Sequence, residues 1–262
     1  MTKLIESEDS LLCCGYALVN FKTLAIQVWQ DGIPFSRRLL CAIGVLADGA
    51  TELLGVWPGT VADEDVWQAA FLDLEVRGVE SIRFVFGSDL ADVGGGLRVV
   101  SFGATELPSI EQTLAVTVAQ VAPRHRGAVA CALRTVAAAG SSEAAEAALR
   151  AFERGQLGER YPKIVARWRL ALAQWAPLFA LPPALRRVLV SSDRTAANLH
   201  ESLVRSVGRH GCFANQAAAL DFVTNALLRA ERRLDRERVI AVTEPRIHRV
   251  GPAGGQPSLG MH

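Results

Sequence analysis

The chain has 262 residues, half of them hydrophobic, with 28 basic and 27 acidic side chains and a net charge of +1. That is enough apolar material for one large core, and the balanced charge names no partner. The longest uncharged run, Leu170–Leu185, carries Gln174 and three prolines and is too short to span a bilayer. The five cysteines form no CxxC pair, which speaks against a zinc site or a disulfide framework. With acids rather than a basic stretch at the N-terminus, this composition implies a cytoplasmic protein.

Charge is unevenly distributed. Residues 1–80 carry 5 basic and 12 acidic side chains, and residues 81–262 carry 23 and 15, a net of −7 and +8. Lysine occurs only at Lys3, Lys22 and Lys163, so the basic half is an arginine half. Arginine pairs well with phosphate. A DNA-binding face in the second half is one reading; a solvated helical surface is the other.

In chain order, a polar lead-in over residues 1–14 is followed by an apolar strand at 17–29. Asp31-Gly32 and Asp48-Gly49 are turn signals that separate it from strands at 38–46 and 51–57. Three apolar runs with two such turns predict an antiparallel meander. Asp63-Glu64-Asp65 places acids in the first turn of a helix that ends at Arg77-Gly78. A buried strand follows at 81–86. Gly94-Gly95-Gly96 is a break and not a phosphate loop, since no Gly-Lys-Ser/Thr follows it. Residues 97–102 read as a short strand and 109–121 as a helix. After Pro123 the pattern is helical, at 128–139, 142–154 and 161–175. Pro182-Pro183 opens the last segment. Ser191-Ser192-Asp193 reads as a cap for a helix over 194–207, and another helix runs over 214–234. The tail beyond 240 is rich in Gly and Pro and reads as disordered.

Several stretches resemble the Mutator-type transposases of bacterial insertion sequences. Ala42-Ile43-Gly44-Val45, Asp48-Gly49, Glu52-Leu53-Leu54-Gly55 and Trp57-x-Gly59 look like that family's second and third strands. Trp67, Leu74 and Arg77-Gly78-Val79 look like its Phe-Trp…Leu…Arg-Gly-Val helix. Tyr161-Pro162-x-Ile164-Val165…Trp168 and Gly211-x-Phe213-x-Asn215 are similar to later family segments. Arg186-Arg187 and the residues after it resemble a run worded Arg-Arg-x-x-x-Thr-Thr-Asn-x-x-Glu-Ser-Leu.

The resemblance implies an α/β protein: an RNase H-like mixed sheet with an all-helical insertion. The core would span 15–122, the insertion 123–180, the closing helices 181–240 and a tail 241–262. It also implies DNA transposition chemistry, with Mg2+ held by an Asp-Asp-Glu triad that activates the attacking oxygen and stabilises the leaving one. Family members carry an N-terminal DNA-binding region ahead of the meander, where this chain has residues 1–14, so the resemblance implies a truncated form.

The acids themselves match poorly. The first falls on Lys22, with Asn20 on the same strand face. Asp89 is the match for the second, catalytic and metal-binding acid, although an ungapped count lands on Ser88. The third falls on Ala196, with Glu201-Ser202-Leu203-x-Arg205 as a rival register. The family's Cys-x-x-His would sit near Ile110 and Thr113 and is absent. Lys22, Asp89 and Ala196 sum to zero charge, where hard divalent cations need several carboxylate oxygens. His125, His200, His210 and His248 are scattered, and no Gly-x-Ser-x-Gly elbow is present. The expectation is therefore a transposase-like protein without strand-transfer activity and with no metal bound. The alternative is a non-catalytic DNA- or protein-binding module on the same fold. DNA is the expected partner, a homo-oligomer is compatible, and no membrane is involved.

Overall fold

The computed structural model of the chain describes residues 12–59, 64–87 and 102–243. Its centre is the long hairpin of β2 (Leu18–Gln30) and β3 (Ile33–Val45), which pairs without interruption from Leu18↔Val45 to Gln30↔Ile33. Asp31 and Gly32 close it with φ of 50° and 77°, the two left-handed residues that a tight twisted hairpin needs. At the second turn Gly49 has φ 89°, and the Asp48 carboxylate accepts from the Ala50 amide at 2.9 Å. β4 (Thr51–Pro58) then returns antiparallel to β3.

A short β1 (Gly15–Tyr16) precedes the hairpin, and α1 (Glu64–Val76) follows β4. The stretch expected as one strand at 81–86 is two. β5 (Ser81–Ile82) pairs with β1, and β6 (Phe84–Gly87) pairs parallel with β2. A strand without sequence warning, β7 (Thr105–Pro108), adds parallel to β6. The main sheet runs β4-β3-β2-β6-β7. It is a mixed sheet, antiparallel at one side and parallel at the other. The second strand begins at Ile33, not near residue 38, because Pro34, Ser36, Arg37 and Arg38 pair with β2 on a bare part of the hairpin where no apolar pattern is demanded.

The helices form one layer on each side. α2 (Ile110–Ala119), a 3-10 turn (Pro123–His125), α3 (Arg126–Ala137), α4 (Ser142–Glu153), α5 (Gln156–Arg160), α6 (Pro162–Gln174) and α7 (Ala176–Phe179) follow β7. They share a core with Leu18, Phe84 and Phe86 of the sheet. Trp168 and Trp175 anchor it: their indole N–H groups donate to Thr117 Oγ1 at 3.0 Å and to the Pro108 carbonyl at 2.8 Å. Each large ring is thereby buried with its one polar group satisfied. On the opposite face α1 packs Trp67, Phe71 and Leu74 against Val19 and Phe21.

The helix expected over 194–207 is only the second half of α8 (Pro183–His210). Ser191-Ser192-Asp193 lies inside that helix and does not start it. The Pro-Pro pair instead starts it, with a proline in the first turn where a missing N–H costs nothing. After β8 (Cys212–Phe213), which pairs with β2 at Gln27 and Val28, α9 (Gln216–Thr243) closes over β4. Among the described residues, no helix is long and apolar enough to cross a membrane.

Candidate nucleic-acid site

The buried stripe of α8 is Arg186, Leu189, Asp193, Ala196, Leu199, Leu203 and Val207. Spacings of three and four put these side chains on one face, and the face lies on β2. Asp193 is thus forced into an apolar seam, fully buried. A carboxylate there must find partners. Its Oδ1 accepts from Ser109 Oγ at 2.8 Å and its Oδ2 from the Glu111 amide at 2.9 Å. Ser109 is the N-cap of α2 and its hydroxyl also accepts from the Gln112 amide. β7 and its turn into α2 deliver Ser109 to this point.

From the other side comes Lys22, at the middle of β2 and only 5% exposed. Its Nζ donates to Ser109 Oγ at 3.4 Å. Lysine cation, serine hydroxyl and aspartate carboxylate therefore form one buried polar cluster tying sheet, α2 and α8 together. Burial pushes the Asp193 carboxyl above its ordinary value, while Lys22, the Glu111 amide and Ser109 pull it back; the net direction is upward. Asn20, two residues before Lys22, is completely buried, and neither of its amide atoms has a hydrogen-bond partner among the described residues. An unmade hydrogen bond of this kind costs about 1–3 kcal/mol.

The two positions weighed for the third acid point in different directions. Ala196 is 2% exposed within the seam. Glu201 lies on the outer side of α8, 69% exposed and 3.7 Å from Arg205. His200, one turn after Ala196, turns towards β2, where its Nε2 lies 2.9 Å from the Thr23 carbonyl and donates to it. Burial lowers the His200 pKa, and Lys22 adds to that, against the opposing effects of Thr23 and Glu201. Ile110 is core, and the Thr113 hydroxyl is turned back onto the Ser109 carbonyl. Asp89 and Ser88 lie outside the described residues.

These residues do not fit a pair of divalent cations. Two hard cations need carboxylate, carbonyl or water oxygens at close range. Lys22 brings a positive charge, Ala196 brings no donor, and Asp193 is already engaged by a hydroxyl, an amide and a lysine. Among the described residues no group of three His, Cys, Asp or Glu side chains is placed to hold a metal.

Beside this cluster opens a cleft of about 500 Å³, lined among others by Lys22, Arg38, Arg134, Arg194, Glu111 and Glu201. Glu111 pairs with Arg194 at 2.9 Å and Glu201 with Arg205. The cleft is therefore more cationic than anionic.

Sequence reasoning missed Ser109 and Asp193 as site residues and took the latter for a cap. One signal was present: a lone acid in a seam whose other members, apart from Arg186 at its start, are Leu, Ala and Val.

The chain matches the model of the Mutator family of transposases over residues 6–233. It is 29% identical over 232 residues to the transposase for insertion sequence element ISRM3 of Rhizobium meliloti, covering 87% of this chain and 58% of that protein. It is 30% identical over 210 residues to a probable insertion sequence transposase of Corynebacterium diphtheriae, covering 78% of this chain and 60% of the relative. The chain thus spans somewhat under two thirds of the length of these relatives. A match across most of the chain is decisive for kinship: the chain belongs to the Mutator family of transposases.

Proposed function

We propose that this protein is a catalytically silent member of its family, one that engages DNA without cutting or joining it. The single observation that supports this reading is Lys22. By resemblance, its place on β2 is that of the family's first metal-binding acid. A buried lysine there, held through Ser109 beside Asp193, repels the cations that strand transfer needs. Ala196 removes a second ligand. The sheet order β4-β3-β2-β6-β7, with β6 parallel to β2, supports reading the architecture as RNase H-like with a helical insertion over 123–180.

The test is a nicking and strand-transfer assay on supercoiled and linear DNA with Mg2+ or Mn2+. No product is expected from the wild type, and Asp89→Ala leaves DNA binding unchanged. Metal-dependent nicking that vanishes in Asp89→Ala overturns the reading. If Glu201→Ala abolishes it too, the third acid is Glu201. Binding to DNA at low salt should weaken steeply as salt rises, since each phosphate contact releases counterions.

A further inference from the structure

Along the outer half of β2, burial alternates strictly: Leu24, Ile26 and Val28 are buried, whereas Ala25, Gln27 and Trp29 are exposed. The buried set packs on α8, β8 and α9. The exposed set shares a face with its cross-strand partners Arg38, Ser36 and Pro34, and these too are exposed. No helix covers this face among the described residues.

Trp29 is 48% exposed, while Trp57, Trp67, Trp168 and Trp175 are all 6% exposed or less. Its cross-strand neighbours on this face, Pro34 and Ser36, are exposed as well. At its inner end the same bare face runs into the cationic cleft, because Ala25 and Arg38 are among the cleft's lining residues. Arg134 of α3 lines that cleft as well. Neither Arg38 nor Arg134 is in an ion pair among the described residues. Trp29 lies four steps along the strand from Ala25, about 13 Å at the usual rise.

An exposed aromatic ring about 13 Å along the strand from arginines that form no ion pair among the described residues suits one partner: a DNA strand, whose phosphates take the arginines and whose bases have a stacking face. We infer that the bare face of the β2–β3 hairpin and the cleft beside Lys22 form one continuous groove for a DNA strand, with backbone phosphates on Arg38 and Arg134 and an unpaired base stacked on Trp29. The inference rests on the DNA-engaging reading above and assigns its surface. It also moves that surface from the arginine-rich second half alone to a composite of both halves, since Arg38 and Trp29 belong to the acidic first half.

The experiment titrates the purified full chain at low salt with a short labelled duplex bearing an unpaired overhang, read by anisotropy and by intrinsic fluorescence. Trp29 is the one exposed tryptophan, so overhang binding should quench its emission. Trp29→Ala should weaken overhang binding roughly tenfold, as expected for loss of one stacked base, and Trp29→Phe should retain most of it without the quenching. Arg38→Ala with Arg134→Ala should lower the slope of log affinity against log salt by about 1.4, the value for two phosphate contacts on a single strand. Arg232→Ala, Arg233→Ala and Arg236→Ala together, on α9 and outside the cleft, should change binding much less. All these side chains are exposed, so thermal melting should be unchanged and serves as the folding control.

No binding by the wild type to any DNA overturns the DNA reading and the groove together. Wild-type binding that neither quenches Trp29 nor weakens in Trp29→Ala overturns the groove alone, as does equal loss in the α9 variant. A dimer that dissociates on Trp29→Ala would show that a second copy of the chain covers this face, which also overturns the groove.

Discussion

Lys22 and Asp193 meet at a single hydroxyl. Ser109 Oγ accepts from the lysine at 3.4 Å and donates to the aspartate at 2.8 Å, and all three side chains are buried. In a family whose chemistry needs acids around metal ions, this member brings the cation on its own second strand and one acid on its eighth helix.

That relationship predicts energetic coupling. Lys22→Met and Asp193→Asn should each destabilise the protein, because each leaves the other group buried without its opposite charge. The double variant should lose less than the sum, with a coupling of about 1–3 kcal/mol. Urea unfolding of the four proteins measures it. Strict additivity would mean that the two charges do not interact. A pH signature should accompany Lys22→Met. Burial already raises Asp193 above its ordinary 3.8, and removing Lys22 raises it further. The folded state then takes up a proton more readily than the unfolded one, so stability is retained at low pH and lost as pH climbs through the folded value.

Restoring acids should restore a metal site. Lys22→Asp with Ala196→Glu places two carboxylates where the family pattern expects them. Thermal melting of the double variant should rise with millimolar Mn2+, by about 2.7 kcal/mol at a hundredfold excess over the dissociation constant. Wild type and either single variant should show no such rise. A response in Lys22→Asp alone would place the remaining ligands elsewhere.

His200 should make stability fall on the acid side of neutrality. Its pKa is lowered from 6.5 chiefly by burial, so the unfolded chain protonates first as pH drops. The contribution is intact above 6.5 and is lost as pH falls from there towards the folded value. His200→Gln keeps a donor for the Thr23 carbonyl and should flatten the slope between pH 7 and 5 in guanidinium titrations. An unchanged slope would assign it to another group.

Gly44 should not tolerate a side chain. A Cβ there would lie 2.6 Å from two ring carbons of Tyr16 and 3.0 Å from Leu54 Cδ2. The ring cannot simply retreat, since Tyr16 Oη donates to Glu52 Oε2 at 2.5 Å and accepts from the Cys13 amide at 3.1 Å. Gly44→Ala should cost about 1–3 kcal/mol by overpacking, seen as a lower denaturation midpoint. A cost under about 0.5 kcal/mol would show that Tyr16 shifts freely.

The sequence alone determined much of the frame. Asp31-Gly32 and Asp48-Gly49 specify tight turns because few residues accept left-handed backbone, and the apolar runs between them could pair only as a meander. The helices after Pro123 followed from their apolar spacing. Local pattern could not place β7, whose four residues are a strand only because β6 offers them an edge. Nor could it show that Ser191-Ser192-Asp193 sits within one long helix, since the same letters can start a helix or lie inside one, where only Asp193 is turned into the seam. The meeting of Lys22, Ser109 and Asp193 joins residues 84 or more positions apart. Only tertiary packing brings them together, because burying any one of the charges is unfavourable until the others arrive.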